Sequence, residues 1–570
     1  MQKLFKDTRL LDKGTVEKYG LTEDIMMENA AAALEKAVFS GADKKGFQIS
    51  GKQMSDKTIS VLILTGSGNN GGDGYVLGRR LAGKADVQIF AVTKPKSPMC
   101  ILQAERAEKT GLKSIGKSEL DILLDKSIEK NCIIVDCIYG SGFHGTLDEE
   151  VATLIEKINS IDADNSYKIA CDIPSGIDSL GNIETFVKST GVNQESSTPL
   201  AFKADVTVTM GALKTALYSD FAKDFCGKII CADLGVARSL FEAADKTVEM
   251  EAFLFDKSDL VLPKRKKQNT NKGSFGHSAI ICGEKPGAAI IAGSAAFGFG
   301  SGLVTLVLTE KQSVPEKCIA KNASTSPDGG TIQANSAGGA ICTEGAIPVT
   351  CPAELMQSFK IPANTKSIAI GMGLGFESKS AEKLLSDLFV TQTKDSYIPM
   401  VFDADMFSRK ETVEFLEKSN ADKTEIVLTP HPKEFSSLLK MTGFGDFSVQ
   451  EIVKNRISLC KTFVKNYPYC VLLLKGANVL ITKSIVPAQS GRESTTQTFI
   501  NPFGDSCIAK GGSGDVLAGL IASLLAQGYS PFEAAKNASL AHAIAASKMR
   551  GSYSVTPFSL IEEIGRLGKD

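Results

Sequence analysis

The sequence VLILTGSGNNGGDG, residues 61–74, joins a fully apolar run to a glycine-rich loop. A short apolar run that ends in turn residues is typical of a buried strand, and the pattern YVLGRRLA after the loop predicts a helix. Three further apolar runs have the same character, namely VQIFAV from Val87, CIIVDC from Cys132 and YKIACD from Tyr167. Their alternation with helical patterns predicts βαβ units and a parallel, doubly wound sheet.

The glycine-rich loop can hold an anion, because its backbone N–H groups crowd at a helix N-terminus, where the helix dipole favours negative charge. The loop satisfies the pattern GxGxxG, but VQIFAV is followed by Thr93 and Lys94 and not by an acidic residue that would hold a ribose. A standard hydride-transferring dehydrogenase is therefore disfavoured, and the missing Gly-Lys-Ser/Thr excludes a P-loop. The run NNGGD predicts polar contacts to a ligand, and a capped glycine-rich turn is the alternative.

Two carboxylates stand at the ends of predicted strands. Asp136 stands at the end of the run from Cys132, Asp172 ends the run from Tyr167, and a glycine turn comes after each. In a doubly wound sheet such strand ends converge on the crevice where ligands bind. A carboxylate is costly there unless it is paired, so a cation held by Asp136, the Ser175 oxygen and an Asn amide is chemically reasonable.

Residues 1–245 resemble the NAD(P)H-hydrate epimerase domain, through the motifs MENAAAAL, GSGNNGGDGYVLGRRL, VDCIYGSGFHG, DIPSGID and ADVTVTMGALK. The resemblance implies a Rossmann-like fold, catalysis by Asp172, and a potassium ion bound by Asn70, Asp136 and Ser175. His144 departs from the family pattern, which usually has Arg or Lys there, and an ordinary loop histidine is the alternative to a cationic role. The implied substrate residues are Asn69, Asn70, Gly71, Gly72, Asp73, Gly140, Ser141, Gly142, Phe143, His144, Gly145, Thr146 and Asp172.

Residues 246–272 are the predicted linker, because LVLPKRKKQNTNKG combines a proline, four consecutive basic residues and polar turn formers. A solvated linker is favoured over a nuclear localisation signal.

The uncharged stretch 287–309 is long enough for a membrane span. Its Ala, Gly and Ser residues followed by LVTLVL instead favour a packed helix that leads into a buried strand. Residues 273–570 form a second α/β/α domain, with apolar runs near Ser278, Leu303, Ser367, Met400, Glu425 and Val471.

The sequence GDSCIAKGGSGD, residues 504–515, precedes the apolar helical pattern VLAGLIASLLAQG. Gly512, Ser513 and Gly514 at the start of this helix would form an anion hole from backbone N–H groups. Asp515 stands in the first turn, where it would accept a hydroxyl proton. Positioning and charge stabilisation are most of what phosphoryl transfer to an alcohol needs. A helix N-cap with close packing is the alternative.

Three other strand ends support a nucleotide-dependent enzyme. VLLLKGANV ends in Lys475, which would contact adenosine phosphates or lie at the surface. MVFDAD places Asp403 and Asp405 where they would bind magnesium or hold a neighbouring loop. LTPHPKEF encloses His431 between two prolines that stiffen its loop, and a packing histidine is the alternative to a ligand contact.

These segments, with KGSFGHSAIICG, KPGAAIIAGSAAFGFGSGLVTL and IGMGLG, resemble the ribokinase-like superfamily, and LTPHPKEF resembles the ADP- or ATP-dependent NAD(P)H-hydrate dehydratase within it. The resemblance implies phosphorylation of the hydrate hydroxyl, loss of phosphate and regeneration of NAD(P)H, with Asp515 as base and Mg²⁺ bound to the nucleotide. The implied hydrate contacts are Ala288, Gly373, His431 and Asp515. The implied nucleotide contacts are Lys475, Gly476, Ala477, Asn478, Val479, Gly512, Ser513 and Gly514.

Composition limits the class of protein further. A chain of 570 residues exceeds the size of one hydrophobic core, and its net charge of −1 provides no field for nucleic acid or an anionic membrane. Thirteen cysteines without CxxC or Cys/His ligand spacing are typical of thiols in a reducing compartment. The N-terminus has no apolar signal region, so we expect a cytoplasmic protein, and a symmetric homo-oligomer is the usual outcome.

Both halves of the chain indicate one metabolite, the hydrate of NADH or NADPH (NADHX or NADPHX). We therefore expect an enzyme that epimerises the R and S hydrates and dehydrates the S form with ADP or ATP, where the fused arrangement favours ADP. A hydroxymethylpyrimidine-type kinase is the first alternative, against which His431 in place of Asn argues. The second alternative is a catalytically silent scaffold in the first domain, against which Asp136 and Asp172 argue.

Overall fold

The chain folds into two compact units in a computed structural model. The units comprise Gln2–Phe253 and, with Met1, Leu254–Asp570, so the division falls inside the predicted linker. The described residues are 1–47, 59–112, 114–127, 132–188, 196–309, 340–341, 349–375, 378–394, 396–486 and 494–568.

A parallel sheet forms the centre of the first unit. Its strands are β2 (Ser60–Thr65), β3 (Asp86–Ala91), β4 (Cys132–Cys137), β5 (Ser166–Cys171), β8 (Val206–Met210) and β9 (Lys228–Ala232), and the remaining strands are β1 (Gln2–Leu4), β6 (Thr185–Lys188), β7 (Ser196–Pro199) and β10 (Ala252–Leu254). The helices are α1 (Arg9–Tyr19), α2 (Glu23–Lys45), α3 (Asn69–Leu81), α4 (Pro98–Lys109), α5 (Lys117–Ser127), α6 (Glu149–Ser160), α7 (Lys223–Cys226) and α8 (Arg238–Phe241).

The strand order of this sheet confirms the doubly wound prediction. The order is β3-β2-β4-β5-β8-β9, and every neighbouring pair is parallel. The connections after β2 and β3 therefore run in opposite directions, and β2 and β4 flank the point of reversal. Ligands of open α/β sheets bind at the carboxyl ends of strands beside such a point.

Two glycines allow the turn after β2 to pack against the end of β4. A Cβ atom on Gly66 would lie 1.8 Å from the carbonyl oxygen of Ile138, and one on Gly71 would lie 2.1 Å from that of Gly66. No side chain fits at either position. The close approach brings the N-terminus of α3 to the carboxyl end of the sheet. Thr22 caps the start of α2, since its side chain accepts a hydrogen bond from Ile25 N at 3.4 Å.

The second unit is built around a mixed sheet. Its strands are β11 (His277–Cys282), β12 (Leu303–Leu308), β13 (Ala340–Ile341), β14 (Val349–Thr350), β15 (Met356–Ser358), β16 (Ser367–Ile370), β17 (Met400–Phe402), β18 (Ile426–Leu428), β19 (Cys470–Leu474), β20 (Val479–Ile485) and β21 (Thr495–Asn501). The helices are α9 (Pro286–Gly298), α10 (Lys379–Thr391), α11 (Glu411–Asp422), α12 (Pro432–Met441), α13 (Val449–Lys454), α14 (Arg456–Asn466), α15 (Ser513–Ala526), α16 (Pro531–Lys548) and α17 (Pro557–Arg566).

Within this unit the strands follow the order β21-β20-β19-β18-β17-β16-β11-β12-β15. The pairs from β15 to β19 are parallel, and β20 pairs antiparallel with both β19 and β21. All six apolar runs predicted as strands in this half are strands. The carboxyl ends of β16 to β19 therefore lie side by side along one edge of the sheet.

The uncharged stretch of residues 287–309 forms most of α9 and then β12, as predicted. Its small residues allow close helix packing, because a Cβ on Gly519 of α15 would lie 2.1 Å from the carbonyl oxygen of Ala292 in α9. Among the described residues, no helix combines the length and the hydropathy that crossing a membrane requires.

Candidate functional sites

A cavity of about 750 Å³ opens at the carboxyl ends of β2, β4 and β5 in the first unit. Gly71, Gly72 and Gly145 from the predicted set lie outside its lining, and Gly71 and Gly72 are buried in the packing of α3. The predicted residues that do line the cavity are Asn69, Asn70, Asp73, Gly140, Ser141, Gly142, Phe143, His144, Thr146 and Asp172. Most of the predicted substrate residues therefore share one concave surface.

The three residues implied in potassium binding lie in one cluster beside this cavity. Asp136 is fully buried and accepts hydrogen bonds from Ser175 Oγ at 2.7 Å, Ser175 N at 2.8 Å and Ile138 N at 3.1 Å. Asn70 Nδ2 donates to the Tyr139 carbonyl at 2.9 Å, and Tyr139 N donates to Ser175 Oγ at 3.0 Å. The cluster thus gathers carboxylate, hydroxyl, amide and carbonyl oxygens.

Asp136 has no cationic partner in the part of the chain that the structure describes. Burial raises the pKa of Asp136, and the three hydrogen bonds lower it. The effect of burial is larger, so the pKa is raised to about 6. A buried carboxylate without a counter-charge, surrounded by hard oxygen donors, fits a bound cation.

Asp172 forms a buried ion pair that the sequence did not predict. Lys214 Nζ lies 2.6 Å from Asp172 Oδ1, which also accepts from Met210 N at 3.1 Å and Thr209 Oγ1 at 3.2 Å. Burial alone would raise the pKa of Asp172, but Lys214 and these hydrogen bonds lower it overall. Asp172 is therefore a carboxylate at neutral pH, and its backbone has a left-handed φ of 66°.

Two further carboxyl groups face the same region. Asp73, on α3, is buried, and burial together with the nearby Asp172 raises its pKa well above the ordinary value. Asp12, on α1, lines the cavity but was absent from the predicted set. Burial also raises the pKa of Asp12, to about 7. Of these three carboxyl groups in the wall of the cavity, Asp172 is therefore ionised, and Asp73 and Asp12 hold protons more strongly.

A second cluster lies at the carboxyl ends of β17 and β19. Lys475 Nζ lies 2.7 Å from Asp403 Oδ1 and 3.7 Å from Glu434 Oε2. Burial would lower the pKa of Lys475, but Asp403 and Glu434 raise it overall, so the ammonium stays charged. A Cβ on Gly514 would lie 3.3 Å from Lys475 Nζ. This contact brings the predicted anion hole beside a fixed positive charge.

Asp515 stands in the first turn of α15, next to this cluster. Burial, together with the nearby Asp403 and Asp405, raises the pKa of Asp515 to about 7. A carboxyl group with such a pKa takes up and releases a proton near neutral pH, which is what a general base needs.

Asp403 and Asp405 hold neighbouring groups, which is the role predicted from the sequence as the alternative to magnesium binding. Asp403 Oδ1 accepts from Thr429 Oγ1 at 2.9 Å as well as from Lys475. Asp405 Oδ2 accepts from the backbone N–H of Gly375 at 2.9 Å. The two carboxylates therefore connect the ends of β16, β18 and β19.

His431 caps helix α12. Its Nδ1 accepts from Lys433 N and Glu434 N, each at 3.2 Å, and Nε2 lies 3.2 Å from Glu434 Oε1. Burial and the nearby Lys475 lower the pKa of His431, so the imidazole is neutral at pH 7. Nδ1 is thus the acceptor and Nε2 carries the proton. The side chain remains 47% exposed, so a capping role leaves one edge of the ring accessible.

The other predicted residues of the second unit occupy varied environments. Gly373 adjoins Ala288, since a Cβ on Gly373 would lie 3.3 Å from that of Ala288. Gly476 and Ala477 are exposed, whereas Asn478 is buried and its carbonyl accepts from Arg456 Nη1 at 2.9 Å. Val479 begins β20, and Gly512, with a φ of 90°, precedes α15.

His542, on α16, supports the start of α15 and was not predicted. Its Nε2 lies 3.1 Å from the Ser513 carbonyl oxygen and 3.2 Å from Ser513 Oγ. A carbonyl only accepts, so Nε2 carries the proton. Burial lowers the pKa of His542 to about 4, which keeps the ring neutral. An otherwise alanine-rich helical pattern gave no local signal for this contact.

Two family models match the chain, one in each unit. The model described as YjeF-related protein N-terminus matches residues 23–216. The model described as NAD(P)H-hydrate dehydratase matches residues 278–566.

Curated relatives match over most or all of their length. The bifunctional NAD(P)H-hydrate repair enzyme Nnr of Helicobacter pylori is 38% identical over 567 residues, which is 100% of both chains. The protein of the same name from Coxiella burnetii is 30% identical over 86% of this chain and 85% of its own. A Bacillus subtilis ADP/ATP-dependent NAD(P)H-hydrate dehydratase structure covers 56% of this chain and 99% of its own, at 22% identity and a TM-score of 0.39. The full-length matches favour the repair-enzyme hypothesis over the kinase and scaffold alternatives.

Proposed function

The chain belongs to the family of bifunctional NAD(P)H-hydrate repair enzymes, and we propose that the two clusters described above carry its two activities. The first unit interconverts the R and S hydrates of NADH and NADPH in the cavity beside β2, β4 and β5. The second unit dehydrates the S hydrate at the carboxyl ends of β16 to β19. The observation that carries the proposal is that each unit places a glycine-rich helix N-terminus beside a carboxyl group of suitable pKa.

In the first unit, the N-terminus of α3 would attract the phosphates of the nucleotide, and Asn69 and Asn70 would bind its polar groups. The segment from Gly140 to Thr146, apart from Gly145, lines the same cavity. Asp172 would act on the hydrate as a carboxylate, because Lys214 keeps it ionised. The cavity volume of about 750 Å³ lies in the ordinary range of small-molecule sites, about 300–1,000 Å³.

Potassium fits the cluster of Asn70, Asp136 and Ser175. These residues, with the Tyr139 carbonyl, would hold the ion, and its charge would compensate the buried Asp136. A bound K⁺ would supply positive potential near the substrate phosphates. The protein's own part is to fix the turn between residues 138 and 142, since Asp136 and Ser175 both bond to its backbone.

In the second unit, Asp515 would take the proton of the hydrate hydroxyl. The hydroxyl oxygen would then attack the terminal phosphorus of ADP or ATP. Lys475 and the backbone of Gly512, Ser513 and Gly514 would stabilise the charge on the transferred group. Loss of phosphate from the carbon, with loss of a proton from the neighbouring carbon, then restores the double bond of NAD(P)H. His431, Gly373 and Ala288 would position the nicotinamide hydrate.

Magnesium would accompany the nucleotide phosphates and neutralise part of their charge. The carboxylates of Asp403 and Asp405 already hold neighbouring residues, so the site fits an ion coordinated mainly by phosphate and water.

We further propose a cytoplasmic location, because the eleven described cysteines are all free thiols and ten of them are buried. Cys318 and Cys342 lie outside the described residues. A symmetric homo-oligomer is the expected assembly.

Recovery of NADH absorbance from a mixed R and S hydrate preparation, with Mg²⁺ and either ADP or ATP, tests the proposal. We expect complete recovery by the wild type and none by Asp515→Asn. Asp136→Ala should recover the S fraction at the normal rate and the R fraction slowly. No recovery with either nucleotide would overturn the dehydratase assignment, and normal recovery by Asp136→Ala would favour a silent first unit.

A further inference from the structure

We propose that Asp12 is the residue that exchanges a proton with the substrate hydroxyl in the cavity of the first unit. The inference rests on the proposed epimerase function and names the proton-transfer group of that reaction. Asp172, which is held as a carboxylate by Lys214, is the complementary base.

Asp12 differs from the other acidic residues that line the cavity, because Glu23 and Asp148 are exposed and Asp73 and Asp172 already bond to other side chains. It lines the cavity from helix α1 and is partly buried, and across the described part of the chain its carboxyl group forms no hydrogen bond or ion pair. Asp172 is committed to Lys214, and Asp73 is buried and accepts from Cys171 Sγ. Asp12 is therefore free to bond to a ligand in the cavity.

The charges that face Asp12 come from several elements. Lys214 stabilises its carboxylate, whereas Asp172, Asp7 and Glu23 destabilise it, and the buried Asp73 interacts with it as well. Two basic residues of α1 lie close to Asp12 in sequence and both have acidic partners, since Arg9 pairs with Asp7 at 2.5 Å and Lys13 with Glu17 at 3.7 Å. Burial and these neighbours together place the pKa of Asp12 at about 7, so the protonated and ionised forms are both populated at neutral pH.

The chemistry of the hydrate needs such a group. Water adds to the ring double bond next to the nitrogen, so the hydroxyl lies on the carbon bonded to that nitrogen. Protonated Asp12 gives its proton to the hydroxyl oxygen, the C–O bond breaks as water leaves, and the nitrogen lone pair forms a C=N bond. Water then attacks the other face and forms a new C–O bond, and its surplus proton passes to Asp172. The net reaction consumes and releases nothing, apart from proton exchange with solvent.

Asp172 has an oxygen suited to this second step. Its Oδ1 accepts from Lys214, Thr209 and Met210, whereas among the described residues Oδ2 has only the long contact of 3.4 Å from Ser141 N. Oδ2 therefore remains available to a water molecule. The two carboxyl groups then divide the reaction between a proton donor and a proton acceptor.

The test measures conversion of the purified R hydrate to the S hydrate by Asp12→Asn, Asp12→Glu and the wild type, by chromatographic separation of the epimers. Asp12→Asn should lower the rate at least 100-fold, in the range general acid catalysis contributes, and Asp12→Glu should restore part of it. Glu17→Gln, on the exposed side of the same helix, is the matched control and should keep the wild-type rate. Dehydration of the pure S hydrate should be unchanged in all variants.

The pH dependence provides a second, independent readout. The wild-type rate of epimerisation should change around pH 7, and this inflection should be absent from the residual rate of Asp12→Asn. A wild type that shows no inflection between pH 6 and 8, or an Asp12→Asn protein that epimerises at the wild-type rate, would overturn the role of Asp12. A wild type that does not epimerise at all would instead contradict the proposed function of the first unit.

Discussion

Lys475 Nζ lies 2.7 Å from Asp403 Oδ1, although the two residues follow different strands, β19 and β17. The carboxylate side chain is only 2% exposed and the lysine side chain 21%. The pair therefore joins two strand ends and fixes an ammonium group beside Gly514, at the start of the predicted anion hole. One contact thus stabilises the fold and supplies charge to the site.

Replacing Lys475 by Met should destabilise the second unit strongly. The substitution leaves Asp403 buried without its counter-charge, which typically costs about 3–5 kcal/mol of unfolding free energy. Denaturant unfolding followed by circular dichroism measures the effect. Lys440→Met is the matched control, because Lys440 pairs with Asp446 where the two side chains are 66% and 69% exposed. That loss should cost about 0–1 kcal/mol, and equal losses in both variants would contradict the prediction.

The dehydratase rate should depend on the ionisation of Asp515. A base must be deprotonated to act, and the pKa of Asp515 is raised to about 7. The value of kcat/KM for the S hydrate should therefore fall about tenfold per pH unit below 7 and level off above it. A wild-type profile that stays flat from pH 5 to 8 would exclude Asp515 as the base.

Potassium should stabilise the first unit through Asp136. Any ion that binds only the folded state raises the midpoint of thermal unfolding. We expect that midpoint to rise with KCl more than with choline chloride at equal ionic strength in the wild type, but not in Asp136→Asn or Ser175→Ala. Asp125→Asn, at a 66% exposed side chain, is the control and should respond like the wild type. A response retained by Asp136→Asn would place the ion elsewhere.

Local sequence patterns were sufficient for the fold and for part of each site. Buried strands such as β4 are mostly apolar, and glycine turns mark their carboxyl ends, so the parallel sheet and its crevice could be predicted. The strand order was not predicted, and β8 and β9 were not among the predicted strands. Asp12, Lys214 and His542 were missed because the residues beside which they pack are distant in sequence. Asp12 precedes the first strand of the sheet, and Lys214 follows β8, yet packing brings both to one cavity.

His542 should make the second unit less stable in mild acid. The pKa of a free histidine is about 6.5, whereas burial lowers that of His542 to about 4. Between these two values the unfolded chain binds a proton that the folded chain does not, so the unfolding free energy falls as the pH falls. The slope contributed is at most about 1.4 kcal/mol per pH unit, or roughly 3 kcal/mol between pH 6.5 and 4. Unfolding of His542→Gln should lack this component, because glutamine does not titrate. A wild type and a variant whose unfolding free energies decline in parallel from pH 7 to 4.5 would show that the ring at Ser513 is accessible to protons, against the burial seen in the structure.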